Sequence, residues 1–154
     1  MTEYSEYSAP GPSFLESMRT QTMKWRTAFS ELCDNSFDAD ATRIDIAFSK
    51  SGEIYVEDNG VGIKDIGLAM ALGSHVPRST TSLGAFGVGL KDAACWFWGT
   101  MKLETRHNGT RQRTEFDWEW LSNQEKWLYP TPTTCNKKTY KSGTKLSFRD
   151  VQRS

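Results

Sequence analysis

Between residues 14 and 37 the apolar side chains recur at helical spacing, as Phe14, Leu15, Met18, Met23, Trp25, Phe29, Leu32, Cys33 and Phe37. From Arg43 the period drops to two. Ile44, Ile46 and Phe48 alternate with polar neighbours, and Ile54 and Val56 return after a Ser51-Gly52 turn. A helical period giving way to a strand period predicts a helix, or two helices in series, packed on a β-hairpin. A hairpin cannot bury its apolar face alone, so helix and hairpin must share one core. Ser13 followed by Glu16 offers a capping box at the helix start.

The remaining pattern extends this plan. Residues 57–60 (E-D-N-G) end the hairpin with turn chemistry. A short helix is expected over residues 64–72, with Ile66, Leu68, Met70 and Leu72 as apolar contacts. Residues 73–89 lack a period and are rich in Gly, Ser and Thr, which predicts a long loop. A helix follows over 90–98 and ends at Gly99. Strands are expected over 100–106 and 111–120, joined by Asn108-Gly109, and a last strand over 145–148. Residues 1–13 read as a flexible lead, and 121–142 as polar and irregular. The order predicts one domain over 14–154, a two-layer α/β sandwich whose mixed sheet carries its helices on one face.

Composition narrows the function classes. The 154 residues suit a single soluble domain, and 19 basic against 19 acidic side chains give no general affinity for nucleic acid or membrane. The balance is uneven along the chain: residues 1–65 hold 12 acidic and 6 basic side chains, and the remainder holds 7 and 13. No apolar run approaches the ~20 residues of a membrane span. The start, with Glu3 and Glu6, does not resemble a signal peptide. Three cysteines and two histidines, His75 and His107, form no metal-ligand spacing. A reducing, cytoplasmic setting is expected.

Four motifs carry chemistry. In E-L-C-D-N-S-F-D-A (31–39), Glu31 and Asn35 share a helix face, with Asp38 close to it. An amide oxygen there suits a hard cation such as Mg²⁺, and a carboxylate can orient or deprotonate a water. In V-E-D-N-G-V-G-I (56–63), Asp58 ends a strand and can accept from an exocyclic amine, while Gly60 and Gly62 let a backbone approach a flat ligand. G-A-F-G-V-G-L-K (84–91) opens a helix, whose N-terminal N–H groups favour anions. S-G-T-K-L-S-F (142–148) puts Thr144 at a strand start. Taken singly, each also has an ordinary account: a solvated helix face, a tight turn, a flexible loop, a turn before a strand.

In order, E-x-x-x-N, D-x-G-x-G, G-x-x-G-x-G and G-T resemble the Bergerat-fold ATPases. These include gyrase B, the Hsp-ninety chaperones, histidine kinases, MutL mismatch-repair proteins, topoisomerase VI B subunits and Microrchidia ATPases. The resemblance covers about residues 14–148. It implies ATP and Mg²⁺ as ligands. Glu31 would activate the attacking water, Asn35 would ligate Mg²⁺, and Asp58 would bind the adenine amine. Asp38 would be a second carboxylate near the adenine. Gly62 would pack near the base, with Gly60 and Ile63 beside it. Gly84, Ala85, Phe86, Gly87, Val88, Gly89, Leu90 and Lys91 would form the phosphate-binding end of the lid, and Thr144 would bond to the adenine-site aspartate or its water. Residues 64–89 would form the lid and phosphate loop, with Arg78 a candidate phosphate contact. The D-N-S-F-D-A run resembles the gyrase B, MutL, chaperone and topoisomerase VI branch, and F-G-V-G-L-K (86–91) resembles chaperone and Microrchidia sequences.

The implied function is Mg-ATP binding with slow hydrolysis, lid closure controlling dimerisation or the docking of a protein partner. In several such relatives a lysine on a following transducer domain reaches the γ-phosphate. The sequence ends after the G-T strand, so hydrolysis is expected to need a partner, a dimer or a further region. Two other readings remain open: a serine/threonine kinase like the single-domain anti-sigma factors, and a non-catalytic nucleotide sensor. The aromatic run Trp96-Phe97-Trp98 is expected in a helix core, and Trp118 and Trp120 on one face of a strand.

Overall fold

The computed structural model describes residues 2–7, 24–70, 93, 96–97, 99–135, 138 and 141–151. Helix α1 spans Trp25–Asp38 and precedes a hairpin of β2, Ile44–Phe48, and β3, Ile54–Asp58. A short helix α2, Ile66–Met70, follows. Strands β4, Thr100–His107, and β5, Thr110–Asp117, form the second hairpin, with Asn108 and Gly109 at positive φ in its turn. Helix α3, Trp118–Ser122, then leads to β6, Trp127–Pro130, β7, Thr133–Cys135, and β8, Gly143–Arg149. Strand β1, Tyr4–Tyr7, pairs with β6 in a separate two-stranded sheet.

The main sheet runs β2-β3-β8-β4-β5-β7. Every pairing in it is antiparallel, where a mixed sheet was the expectation. The α/β two-layer plan itself holds. Side chains on the helix-covered face align in rows across the strands. Ile54, Phe148, Met101 and Phe116 form one row, and Val56, Leu146 and Leu103 the next. All seven are buried. The following row is polar: Thr144 lies opposite Thr105, and Asp58 stands beside Thr144.

Helix α1 matches these rows. Its buried side chains are Ala28, Leu32, Asn35 and Ser36. The first two cover the apolar rows and the last two reach the polar one. Phe97 closes the core from another segment, stacking on Phe148 with centroids 4.3 Å apart. Trp118 stacks on Phe116. Each such buried ring contributes about 1.5–3 kcal/mol, so the two apolar rows hold the sheet to its helices. Among the described residues no helix is long and apolar enough to cross a membrane.

Several local expectations change. Strand β3 runs two residues beyond Val56, because Glu57 and Asp58 still pair with Asp45 and Ile44. The second hairpin stops at Asp117 rather than at Trp120. The Asp117 carboxylate accepts from the Trp120 amide at 2.9 Å and caps α3, so Trp118 is buried while Trp120 stacks on Tyr4 outside. Residues 4–7 and 127–130 are strands because they pair with each other. The first part of the long helix, the loop 73–89 and most of the 90–98 helix lie outside the described residues.

Candidate functional site

The polar row and the end of α1 enclose a small pocket lined by Leu32, Asn35, Ser36, Val56, Asp58, Ile63, Thr144 and Leu146. Its apolar part is the edge of the core, and its polar part centres on the Asp58 carboxylate. Oδ1 accepts from the Gly60 amide at 2.9 Å and the Thr144 amide at 3.2 Å. Oδ2 accepts from the Ser36 hydroxyl at 2.9 Å. A carboxylate offers about four lone-pair sites. Among the described residues these three donors leave one of its acceptor positions without a partner.

The D-N-G-V-G run is what holds that carboxylate in place. Asn59 ties the turn to the start of β2: its Oδ1 accepts from the amides of Thr42 and Arg43, both at 2.9 Å, and its Nδ2 donates to the Thr42 hydroxyl. Gly60 lies against Ala39, where a Cβ would come within 2.5 Å of the Ala39 carbonyl oxygen. That closeness lets the Val61 amide donate to the same carbonyl at 2.8 Å. Gly62, at φ +79°, lies against the Arg106 carbonyl, where a Cβ would collide. The next amide, of Ile63, donates to Thr105 Oγ1 at 2.7 Å. These two glycines therefore admit close approach of the protein's own backbone. Neither lines the pocket. Gly143, before Thr144, lies against the Asp58 carbonyl at φ +139° in the same way.

On α1, Asn35 is only 8% exposed, and its Nδ2 has no hydrogen-bond partner among the described residues. This amide lines the pocket with a polar atom that has no partner among the described residues. A neutral amide oxygen suits Mg²⁺, which takes oxygen donors and keeps several waters. Among the described residues no group of three or more His, Cys, Asp and Glu side chains could hold a metal. Glu31, half-buried, lies one turn before Asn35. Asp38 ends the helix and does not line the pocket. Cys33 lies between Glu31 and Asn35 in the sequence, and burial, then the Asp34 carboxylate, push its thiol pKa up, toward the protonated form.

A family model described as histidine kinase-, DNA gyrase B- and HSP90-like ATPase matches residues 23–149. The chain belongs to this family. The DNA mismatch repair protein MutL of Erwinia tasmaniensis is 53% identical over 55 residues, 34% of this chain and 9% of that protein. MutL of Enterobacter sp. strain 638 is 49% identical over the same length and shares. The match thus spans about a tenth of these relatives' own length.

Membership in this ATPase family supports ATP binding. Of the positions expected to meet nucleotide, Asn35, Asp58, Ile63 and Thr144 meet at one pocket. Residues 84–91, the expected phosphate end, lie outside the described residues. Ser36, Thr105 and Gly143 are additions. Ser36 and Gly143 stand inside quoted motifs, beside Asn35 and Thr144. Thr105 carries no motif and is found only through strand register.

Proposed function

We propose that the chain binds Mg-ATP with its adenine at Asp58 and hydrolyses it slowly, and that closure of residues 64–89 over the nucleotide governs dimerisation or the docking of a protein partner. The observation carrying this reading is the Asp58 carboxylate at the pocket, with three lone-pair sites taken by protein donors and a fourth that has no partner among the described residues. One open acceptor suits one N–H of an exocyclic amine. Thr144 and Ser36 hold the carboxylate from opposite sides, so its orientation is fixed before a ligand arrives.

On this reading the nucleotide runs from Asp58 along α1, past Asn35 toward Glu31. Mg²⁺, when bound, neutralises charge on the phosphate oxygens. Asn35 would hold the ion through its amide oxygen. Glu31, one turn earlier on the same helix, would accept a proton from the attacking water and orient it in line with the γ-phosphate. The expected glycine-rich end, 84–91, would donate backbone N–H groups to the phosphates. Calorimetry of ATP binding, with and without Mg²⁺, on wild type and Asp58→Ala tests the reading. Binding should collapse in the variant; unchanged affinity would refute the adenine assignment.

A further inference from the structure

Strand β2 is an edge of the main sheet, and its sequence does nothing to blunt that edge. Its register with β3 is unbroken from Ile44 to Phe48, so no bulge turns it away, and the run I-D-I-A-F holds neither proline nor lysine. The Asn59 amide donates to the Arg43 carbonyl at 3.3 Å, and the Ser49 amide to the Glu53 carbonyl at 2.9 Å. Bonded positions alternate along an antiparallel strand. Arg43, Asp45, Ala47 and Ser49 therefore bond to β3, while Ile44, Ile46 and Phe48 turn their N–H and C=O groups to the open side. Beside that side runs an apolar strip. Phe48 is 65% exposed and Ile46 41%, and on the adjoining flank of α1 Trp25 is 56% and Phe37 60% exposed. Phe29 links them, its ring 6.1 Å from Phe48 and 6.3 Å from Trp25. A helix rises about 1.5 Å per residue and a strand about 3.3 Å. With Phe29 level with Phe48 and the chain reversed between them, Cys33 comes level with Ile46, and Phe37 with Ile44. Monomers scatter such side chains singly; a contiguous strip along an unpaired edge marks an interface.

We propose that this strip joins two copies of the chain: β2 pairs antiparallel with β2 of a second copy about a two-fold axis at Ala47, so that one sheet runs through both. A two-fold interface must be complementary to itself, and in this register the strip is. Ile46 meets Phe48 of the second copy, and the outward backbone groups of both are satisfied. On the helix side Phe29 comes beside Cys33 of the second copy, and Trp25 beside its Phe37. On the other side Asp45, held by Arg43 at 2.9 Å, faces Ser49 of the second copy, so no like charges meet. The three exposed rings offer about 350 Å² per copy. Ile46 and the edge backbone bring the seam to about 1,000 Å² in total, the lower end of specific interfaces. No β2 residue lines the pocket at Asp58, so this pairing needs no nucleotide and is separate from dimerisation governed by residues 64–89.

Sedimentation equilibrium of the full chain without nucleotide, from micromolar to submillimolar concentration, tests it. Wild type should show a monomer–dimer equilibrium, and Phe48→Asp should weaken it about a hundredfold. A monomer at every concentration overturns the proposal and would leave the strip to a different protein or to another segment of this chain. A dimer that Phe48→Asp leaves intact overturns it too, and so does one that forms only with ATP. Crosslinking reads the register, and decides alone should Phe48→Asp not fold. In a chain with Cys33, Cys95 and Cys135 changed to serine, Ala47→Cys puts two thiols on the axis. The Cα atoms of such a pair stand about 4.5 Å apart, within the span of a disulfide. Mild oxidation should link Ala47→Cys into dimers and leave Asp45→Cys monomeric on a non-reducing gel. No link at Ala47→Cys, or equal linking of both variants, overturns the proposal.

Discussion

The two walls of the pocket are built differently. On the sheet side Asp58 is held by Ser36, Gly60 and Thr144, and the loop behind it is stitched down by Asn59, Gly62 and Thr105. On the helix side Asn35 keeps a buried amide nitrogen with no partner among the described residues. Among the described residues the Asp58 carboxylate is held by three donors, whereas the Asn35 amide nitrogen has none. On the proposed reading, the held side would read the base and the unpartnered side would face the ion and phosphates.

The largest effect that would break this contrast is on turnover. Glu31→Ala should lower phosphate release about a thousandfold and leave ATP affinity nearly unchanged. Retained turnover would remove the helix side from the chemistry and favour a nucleotide sensor. Asp58→Ala should weaken ATP binding about a hundredfold, since it deletes a charged acceptor in a fixed site. Calorimetry reads this directly, and a small loss would mean that the sheet side is not the base wall. Gly62→Ala should cost about 3 kcal/mol in urea unfolding, from strain at positive φ and a clash with the Arg106 carbonyl. Wild-type stability there would show that the loop is looser than its bonds suggest. Asn35→Ala should change unliganded stability by about 1 kcal/mol or less, because the amide nitrogen has no partner to lose. The same variant should abolish the Mg²⁺ enhancement of ATP binding.

Local pattern revealed much of this and stopped at predictable points. Alternation found β2 through Phe48 and the turn found Asn108-Gly109, because the strand period is two, although in β2 Ile46 and Phe48 stay exposed and the hairpin's buried side chains are Ile54 and Val56 of β3. It missed β1 and β6, short strands whose stability lies in pairing with each other across more than a hundred residues. It read Trp118 and Trp120 as one face of a strand, because an Asp cap acts on backbone amides and leaves the side-chain pattern unchanged. At the site, Asn35, Asp58 and Thr144 were legible from motif order. The work of Gly60 and Gly62 was not, since glycine type tells that something comes close and not what it is. Thr105 was invisible for a simpler reason: a threonine in a strand is ordinary, and only register brings it to Thr144.

Strand β8 lies in the middle of the sheet, between β3 and β4, although it is the last strand in the sequence. Before residues 143–149 emerge during synthesis, the first hairpin and the second have no common partner. Until residues 143–149 are made, the two hairpins lack the strand that joins their apolar faces into one sheet. Thr144 arrives with that same stretch, so the strand that finishes the sheet also finishes the pocket.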